Sequence, residues 1–209
     1  MTVIVFVGRA GTGKTVVAKK IGSLLKWPII ETSDVVRSIT KGAKRQEMNL
    51  TKHHLEAADP DWLWKPMKEA VLSVRDSIEK GGSLSSVGCI VSGIREPYLL
   101  HKIIEEERFG NIIVLGIEAT LFKRYSRLCA RDGFMSIDDF RKIDDGTFER
   151  DGFVGDNTLG LDITLTACDT IFEANGKVWD LIEDVQSYLF SRGVYGSPTK
   201  RLFNDKSKE

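Results

Sequence analysis

Residues 8–15 read Gly-Arg-Ala-Gly-Thr-Gly-Lys-Thr and match the pattern G-x-x-x-x-G-K-[ST]. Glycines at these positions let successive backbone N–H groups turn inward around phosphate oxygens, and a helix that begins here adds positive potential. In such a loop Lys14 reaches the β- and γ-phosphates and the Thr15 hydroxyl ligates Mg²⁺. The pattern therefore predicts an ATP site. Its expected binding residues are Gly8, Ala10, Gly11, Thr12, Gly13, Lys14, Thr15 and Val16.

Three arginines farther along the chain have the spacing of one helical stripe. Arg124, Arg127 and Arg131 stand at i, i+3 and i+7, so a helix would present them on one side. Phosphoryl transfer concentrates negative charge on the transferred group, which arginines stabilise. We therefore expect these three and Arg150 to be catalytic together with Lys14, although a solvated basic helix face would show the same spacing.

Strands and helices alternate along the chain. Thr2–Val7 is a β-branched apolar run that ends at the glycine loop and predicts a buried strand, and Lys14–Leu25 has helical spacing of its apolar residues. Further strands are expected at 27–30, 89–91, 111–117 and 169–172. Further helices are expected from Ser33 or Asp34 as a cap, at 61–78, at 97–104, after 117, from Ser136 and at 178–189, and loops at 81–88 and 151–160.

This alternation predicts an α/β fold with parallel βαβ units. We expect the three-layer P-loop NTPase fold, with a five-stranded parallel sheet and helices on both faces. One domain is expected over 1–191, followed by a polar tail at 192–209. Two helical insertions, an acceptor-binding one at about 34–80 and a lid at about 120–160, are too long for plain crossovers.

The composition is that of an ordinary globular protein. Of 209 residues, 42% are hydrophobic and 29% charged, which excludes a disordered chain, a collagen-like repeat and a disulfide scaffold. Thirty basic residues balance thirty acidic ones, whereas proteins bound to long nucleic acids are usually basic overall. Since no apolar run has membrane-spanning length and the three cysteines lack metal-ligand spacing, we expect a cytoplasmic protein without membrane partner or structural metal.

The chain resembles the nucleoside-monophosphate kinase group of P-loop enzymes, in particular phage deoxynucleoside-monophosphate kinases and dephospho-coenzyme-A-kinase-like proteins. The resemblance runs along most of 1–190 and rests on the phosphate loop and on the segments 34–37, 92–95, 124–131, 148–151 and 168–176. It implies an ATP- and Mg²⁺-dependent kinase whose acceptor is a (deoxy)nucleoside monophosphate. It also implies that Asn175 lies beside the adenine ring, where a plain Asn-Gly turn is the other interpretation.

The same resemblance implies that Arg37 and Arg95 bind the acceptor phosphate. Asp34, on the same helix face as Arg37, would then orient or deprotonate the acceptor. The spacing Asp34-x-x-Arg37 also resembles that of polynucleotide 5′-hydroxyl kinases, in which the aspartate is a general base toward a hydroxyl. A phosphate acceptor needs no base, so Asp34 leaves the acceptor open between a phosphate and an alcohol.

One position departs from the pattern of similar kinases. Ser92 stands where they have an aspartate that helps to hold the water shell of Mg²⁺. Either Asp34 or Glu96 supplies that negative charge here, or Thr15 and the nucleotide hold the metal. The expected metal residues are Thr15 and, through water, Asp34.

Two other functions remain open from the sequence. One is a hydroxyl kinase that acts on nucleic acid, such as a phage 5-hydroxymethylpyrimidine DNA kinase with Asp34 as base. A basic stretch at 41–54 favours it, as does the stacking of one tryptophan, Trp62 or Trp64, on a base. The other is a non-catalytic nucleotide-binding switch, which the missing aspartate favours and the lid arginines oppose. Dephospho-coenzyme A is a weaker candidate acceptor.

Overall fold

The structure, a computed structural model, describes residues 1–40, 55, 58–81, 88–145 and 157–194. Within these residues one sheet contains five parallel strands: β1 (Thr2–Val7), β2 (Ile29–Glu31), β3 (Gly88–Ile94), β4 (Asn111–Glu118) and β5 (Thr170–Glu173). Their order is β2-β3-β1-β4-β5. Because β1 is the central strand, the loop that follows it lies at the middle of the carboxyl edge of the sheet. The predicted α/β fold with a five-stranded parallel sheet is confirmed.

Helices cover both faces of this sheet. Successive residues of β1 face opposite sides, so Val3 and Val5 belong to one apolar core and Ile4 and Phe6 to the other. This explains why the whole strand is apolar rather than alternating. The described helices are α1 (Lys14–Leu25), α2 (Thr32–Ile39), α3 (Trp64–Gly81), α4 (Pro97–Glu105), α5 (Leu121–Asp132), α6 (Ile137–Asp145), α7 (Asn157–Thr166) and α8 (Val178–Ser191), with a 3-10 helix at Glu107–Phe109.

The loop expected at 151–160 is partly wrong, because residues 157–160 form the start of helix α7. Its sequence contains Gly160 and lacks a clear apolar stripe, so local preference alone does not predict a helix. Tertiary packing supports it instead: Leu161 and Leu165 are buried in the core, and Gly160 faces Pro97 of α4.

Other boundaries differ by one to three residues. Strand β2 extends through Glu31, and α2 begins at Thr32 with Glu31 at its N-cap position, so neither Ser33 nor Asp34 caps it. The helix expected from 61 begins at Trp64. By contrast, Ser136 starts α6 as predicted, since its Oγ accepts a hydrogen bond from the backbone N–H of Asp139 at 3.0 Å.

Several expectations fall outside the described residues. These are Arg150, the basic stretch at 41–54, most of the loops at 81–88 and 151–160, and the tail from 195 onward. Among the helices that the structure does describe, none is long and apolar enough to cross a membrane.

Candidate functional site

The phosphate loop is tightly held between β4 and α5. Gly8 has φ +146° and Gly11 has φ +76°, conformations that residues with a Cβ rarely adopt. A Cβ on Gly8 would lie 2.2 Å from the carbonyl oxygen of Ile117, and one on Gly11 would lie 2.7 Å from that of Arg124. The two glycines therefore allow a close backbone approach, and α1 begins directly behind the loop, as the sequence predicts.

Lys14 is buried at the base of this loop, with 7% of its surface exposed. Its Nζ donates a hydrogen bond to the carbonyl oxygen of Arg9 at 3.0 Å. Burial and, to a smaller extent, the positive charge of Arg95 lower the pKa of Lys14 to about 7, although the carboxylate of Glu31 opposes this shift. The ammonium group thus lies close to both an acceptor-side cation and an acid, in a place that an anion would stabilise.

Glu31, the last residue of β2, is a functional candidate that the sequence analysis missed. Its Oε1 is buried and has no hydrogen-bond partner among the described residues. Burial raises the pKa of Glu31, and so does the nearby charge of Asp34, whereas Lys19 and Lys14 lower it. Its position at the end of a strand would have identified it, but this strand was expected to end one residue earlier, at Ile30.

Strand β3 is distorted next to this carboxylate. Ser92 pairs with Phe6 while Ile94 pairs with Val7, so Gly93, at φ +98°, bulges out of the register. The Ser92 Oγ is fully buried and, within the described part of the chain, unpartnered. The bulge lies two residues before Arg95, which directly follows the end of β3.

Asp34 and Arg37 lie on one face of α2, as predicted, and form an ion pair with each other at 2.5 Å. Both side chains are more than half exposed, at 65% and 58% respectively. An ion pair so exposed contributes little to stability, so an incoming ligand can replace it at small cost. The charge of Asp34 raises the pKa of Glu31, so the two carboxylates lie near each other, and Glu31 also interacts with Lys14.

The three arginines of α5, which the sequence predicts to belong to a lid, have three different environments. Arg124 is buried and forms a two-armed ion pair with Asp144 of α6. Arg131 lies at the exposed end of the helix and pairs with its neighbour Asp132 at 2.6 Å. The positive charges of Arg131 and Arg124 both lower the pKa of Lys14, so both lie near the phosphate loop.

Arg127 binds main-chain carbonyl groups from two segments. It donates to Gly11 at 3.4 Å and Thr12 at 3.2 Å in the phosphate loop, and to Ala174 after β5 at 2.7 Å. The three arginines therefore have different partners. Arg124 binds a buried carboxylate, Arg127 binds the loop backbone, and Arg131 lies at the end of the helix. In this conformation Arg127 supports the phosphate loop from behind.

The remaining predicted ATP residues lie in this loop, at the start of α1 and, for Asn175, in the turn after β5. Thr15 is half-buried at the start of α1, and Val16 beside it is exposed. The Thr12 hydroxyl donates to the carbonyl oxygen of Arg9 at 3.0 Å. Asn175 uses its side-chain oxygen to accept the backbone N–H of Thr120 at 2.8 Å, which joins the turn after β5 to the start of α5.

Trp62 and Trp64 do not support stacking on a base. Each is 8% exposed and belongs to the apolar core that includes Met67 and Val71 of α3. The segment that leads into α3 turns its aromatic residues toward the sheet, so neither ring presents a face to a ligand.

The residues present fit a magnesium ion. Mg²⁺ prefers oxygen ligands, keeps several waters and uses one or two carboxylates. Thr15 offers a hydroxyl at the phosphate loop, and Glu31 offers a buried carboxylate oxygen that lacks a protein partner. Glu31 is therefore a further candidate, beside Asp34 and Glu96, for the negative charge that Ser92 cannot supply.

Comparison with known proteins shows the fold. No family model matches the chain, and no curated protein matches it. A shikimate kinase from Bacteroides thetaiotaomicron is 16% identical with a TM-score of 0.58, over 92% of this chain and 98% of the other. A gluconokinase from Sinorhizobium meliloti 1021 is 14% identical with a TM-score of 0.56, over 98% and 97%.

A shikimate kinase from Aquifex aeolicus is also similar, at 12% identity and a TM-score of 0.54, over 93% of this chain and 99% of that one. These structural similarities show that the chain has the fold of P-loop kinases. They do not single out the nucleoside-monophosphate kinase group within it.

Proposed function

We propose that this chain is an ATP- and Mg²⁺-dependent kinase that transfers a phosphoryl group to a hydroxyl of a small anionic acceptor. The observation that carries the proposal is that Lys14, Glu31, Asp34 and Arg95 all lie at or just after the carboxyl ends of three neighbouring strands. The cationic side chains there can bind phosphate groups, and the carboxylates can bind a metal ion or accept the proton of an acceptor hydroxyl.

On the donor side, the loop amides and Lys14 bind the β- and γ-phosphates. Lys14 would exchange the Arg9 carbonyl for phosphate oxygens, which hold its ammonium group in the charged form. Arg127 keeps the loop backbone in place, and Arg124 and Arg131 lie close enough to neutralise the transferred group.

On the metal side, Thr15 would hold the ion at the phosphate loop, and Glu31 and Ser92 would form hydrogen bonds with its water shell. A bound Mg²⁺ would supply positive charge that neutralises the charge developing on the phosphates. Glu31 supplies on β2 the acid that β3 lacks at Ser92, and its unpartnered oxygen then gains hydrogen bonds.

On the acceptor side, Asp34 acts as the general base. It takes the proton of the hydroxyl while that oxygen bonds to the γ-phosphorus, the bond from phosphorus to the β–γ bridging oxygen breaks, and ADP leaves. Arg37 and Arg95 bind the anionic group of the acceptor. Two carboxylates beside the reacting centre favour an alcohol over a phosphate acceptor, whose negative charge they would repel.

A nucleoside monophosphate is the second candidate acceptor, and Arg37 and Arg95 are the residues that support it. A hydroxymethylpyrimidine in DNA is a further hydroxyl acceptor, but the basic stretch that favoured it lies outside the described residues.

The experiment offers γ-labelled ATP and Mg²⁺ together with one acceptor class at a time, and Lys14→Ala serves as the blank. The classes are hydroxy acids and sugar acids, nucleoside monophosphates, and DNA that carries hydroxymethylpyrimidines. We expect label in a phosphate ester of a small hydroxy acid or sugar acid. Label in a diphosphate would favour the second candidate, and ATP binding without transfer to any acceptor would favour the switch.

A further inference from the structure

A buried ion pair joins two helices of the lid region. The Nη1 and Nη2 atoms of Arg124 bond to the two carboxylate oxygens of Asp144, twenty residues later, with Nη2 at 2.8 Å. The side chains are only 6% and 8% exposed. The Nε of Arg124 donates to the carbonyl oxygen of Ala119 at 3.1 Å, and its guanidinium carbon lies 5.5 Å from the ring centroid of Phe140. The guanidinium is therefore held on three sides.

This fixed guanidinium lies beside the phosphate loop. The backbone of Arg124 touches Gly11 so closely that no side chain fits between them. A guanidinium has five N–H donors, and the bonds to Ala119 and Asp144 use three of them. Among the described residues the other two donors have no partner, so they are available for an oxygen of a phosphoryl group bound in the loop.

The same carboxylate also faces the loop itself. Arg9, the second residue of the loop motif, places its Nη1 3.9 Å from Asp144 and its Nη2 2.7 Å from Asp162 of α7. Asp144 thus lies between one arginine of the phosphate loop and one of the lid helix. Asp162 pairs with Arg9 but, in the described residues, not with Arg124, and its side chain is 60% exposed.

Stability is a weak reason for such a pair. Desolvation of two buried charges offsets most of their attraction, so a buried ion pair seldom stabilises more than an apolar pair would. What a two-armed pair does provide is a defined orientation of the guanidinium plane.

We propose that Asp144 is a positioning residue, which holds Arg124 in the orientation from which its two remaining donors bind the transferred phosphoryl group. The proposal rests on the kinase function proposed above. It separates Asp144 from the residues that bind nucleotide, since Asp144 acts through Arg124 and carries a charge of the wrong sign for a phosphate.

The test compares Asp144→Asn with Asp162→Asn, which removes the same charge from the exposed arm of the network. For Asp144→Asn we expect kcat to fall about tenfold to a hundredfold, because misplaced catalytic groups cost that much. The KM for ATP stays equal or falls, since a negative charge near the triphosphate is lost. For Asp162→Asn we expect both constants within about twofold of the wild type.

If Asp144 acts through Arg124, the loss of kcat that its substitution causes must depend on Arg124. In an Arg124→Ala background, Asp144→Ala should cause no further loss of kcat, and this double variant also avoids an unpaired buried charge that could unfold the single one. An unchanged kcat in Asp144→Asn would overturn the proposal, as would an equal loss in the Arg124→Ala background. A wild-type protein that transfers phosphate to no acceptor and hydrolyses no ATP would instead overturn the kinase function itself.

Discussion

Glu31 and Ser92 are register partners on the neighbouring strands β2 and β3, and each carries a buried side-chain oxygen for which the described residues provide no hydrogen-bond partner. Such oxygens cost free energy unless water or a ligand reaches them. Both lie toward the carboxyl edge of the sheet, and the charge of Glu31 acts on the ammonium group of Lys14. In the proposed function, the water shell of a bound Mg²⁺ would supply hydrogen-bond partners to both oxygens.

Glu31→Gln should therefore raise the Mg²⁺ concentration for half-maximal activity by about tenfold to a hundredfold, because the variant loses the charge that orders the metal's water shell. Glu118→Gln is the matched control, since Glu118 also ends a strand at this edge. Titration of activity with Mg²⁺ checks the prediction. Equal Mg²⁺ requirements in the wild type and in Glu31→Gln would remove Glu31 from the metal site.

Ser92→Ala should raise the free energy of unfolding by roughly 1 kcal/mol, because it removes a buried hydroxyl that lacks a partner. Denaturant unfolding without nucleotide or metal measures the change. A loss of stability would mean that the hydroxyl has a bonding partner in solution.

ATP affinity should decrease as the pH rises above about 7. The pKa of Lys14 is lowered to about 7 in the free protein, chiefly by burial, and bound phosphates favour its charged form. Binding above pH 7 therefore takes up a proton, and the affinity falls by up to about tenfold per pH unit. Calorimetry in buffers of different ionisation enthalpy measures the uptake.

Two lysine variants test the origin of that proton. Lys14→Met should abolish the uptake, whereas Lys65→Met, at an exposed lysine paired with Asp59, should leave it unchanged. Uptake that persists in Lys14→Met would assign it to another group.

Gly8→Ala should destabilise the protein by more than Gly133→Ala. Both residues have positive φ, and that strain costs about 1–2 kcal/mol for alanine. Only at Gly8 would the added Cβ also collide with a carbonyl oxygen, that of Ile117; at Gly133 nothing in the described structure lies within 4 Å. Thermal unfolding of both variants compares the two costs, and similar losses would contradict the close approach at Gly8.

Asp34→Asn should lower kcat by about 10²–10⁴ with a hydroxyl acceptor, because the general base is lost. The unfolding temperature should hardly change, since the pair with Arg37 is exposed. Steady-state kinetics with saturating ATP test this. A loss below about tenfold would indicate an acceptor that is already ionised, such as a monophosphate.

The sequence predicts the frame of the site better than its contacts. A central strand buried on both faces must be apolar, so β1 and the loop after it are evident from residues 2–15. The spacing of Arg124, Arg127 and Arg131 correctly predicts one helix. Their partners are invisible in that spacing, because Asp144 and the carbonyl of Gly11 reach them only through the tertiary fold.

Boundaries explain two other differences. Because β2 was expected to end at Ile30, Glu31 was not recognised as the last residue of a strand at the carboxyl edge, which is what makes it a candidate. Helix α7 was missed because Gly160 and an even distribution of apolar residues give it no helical pattern, while its contacts with α4 and the core stabilise it.

Phosphorus NMR of the protein with ATP, Mg²⁺ and a mixture of small hydroxy acids, sugar acids and nucleoside monophosphates is the decisive test of the proposed kinase activity. It follows the γ-phosphorus of ATP into its product. We expect a growing phosphate monoester signal that matches the loss of ATP and is absent with Lys14→Ala. A signal that accumulates only as inorganic phosphate, or an ATP signal that never declines, would contradict it.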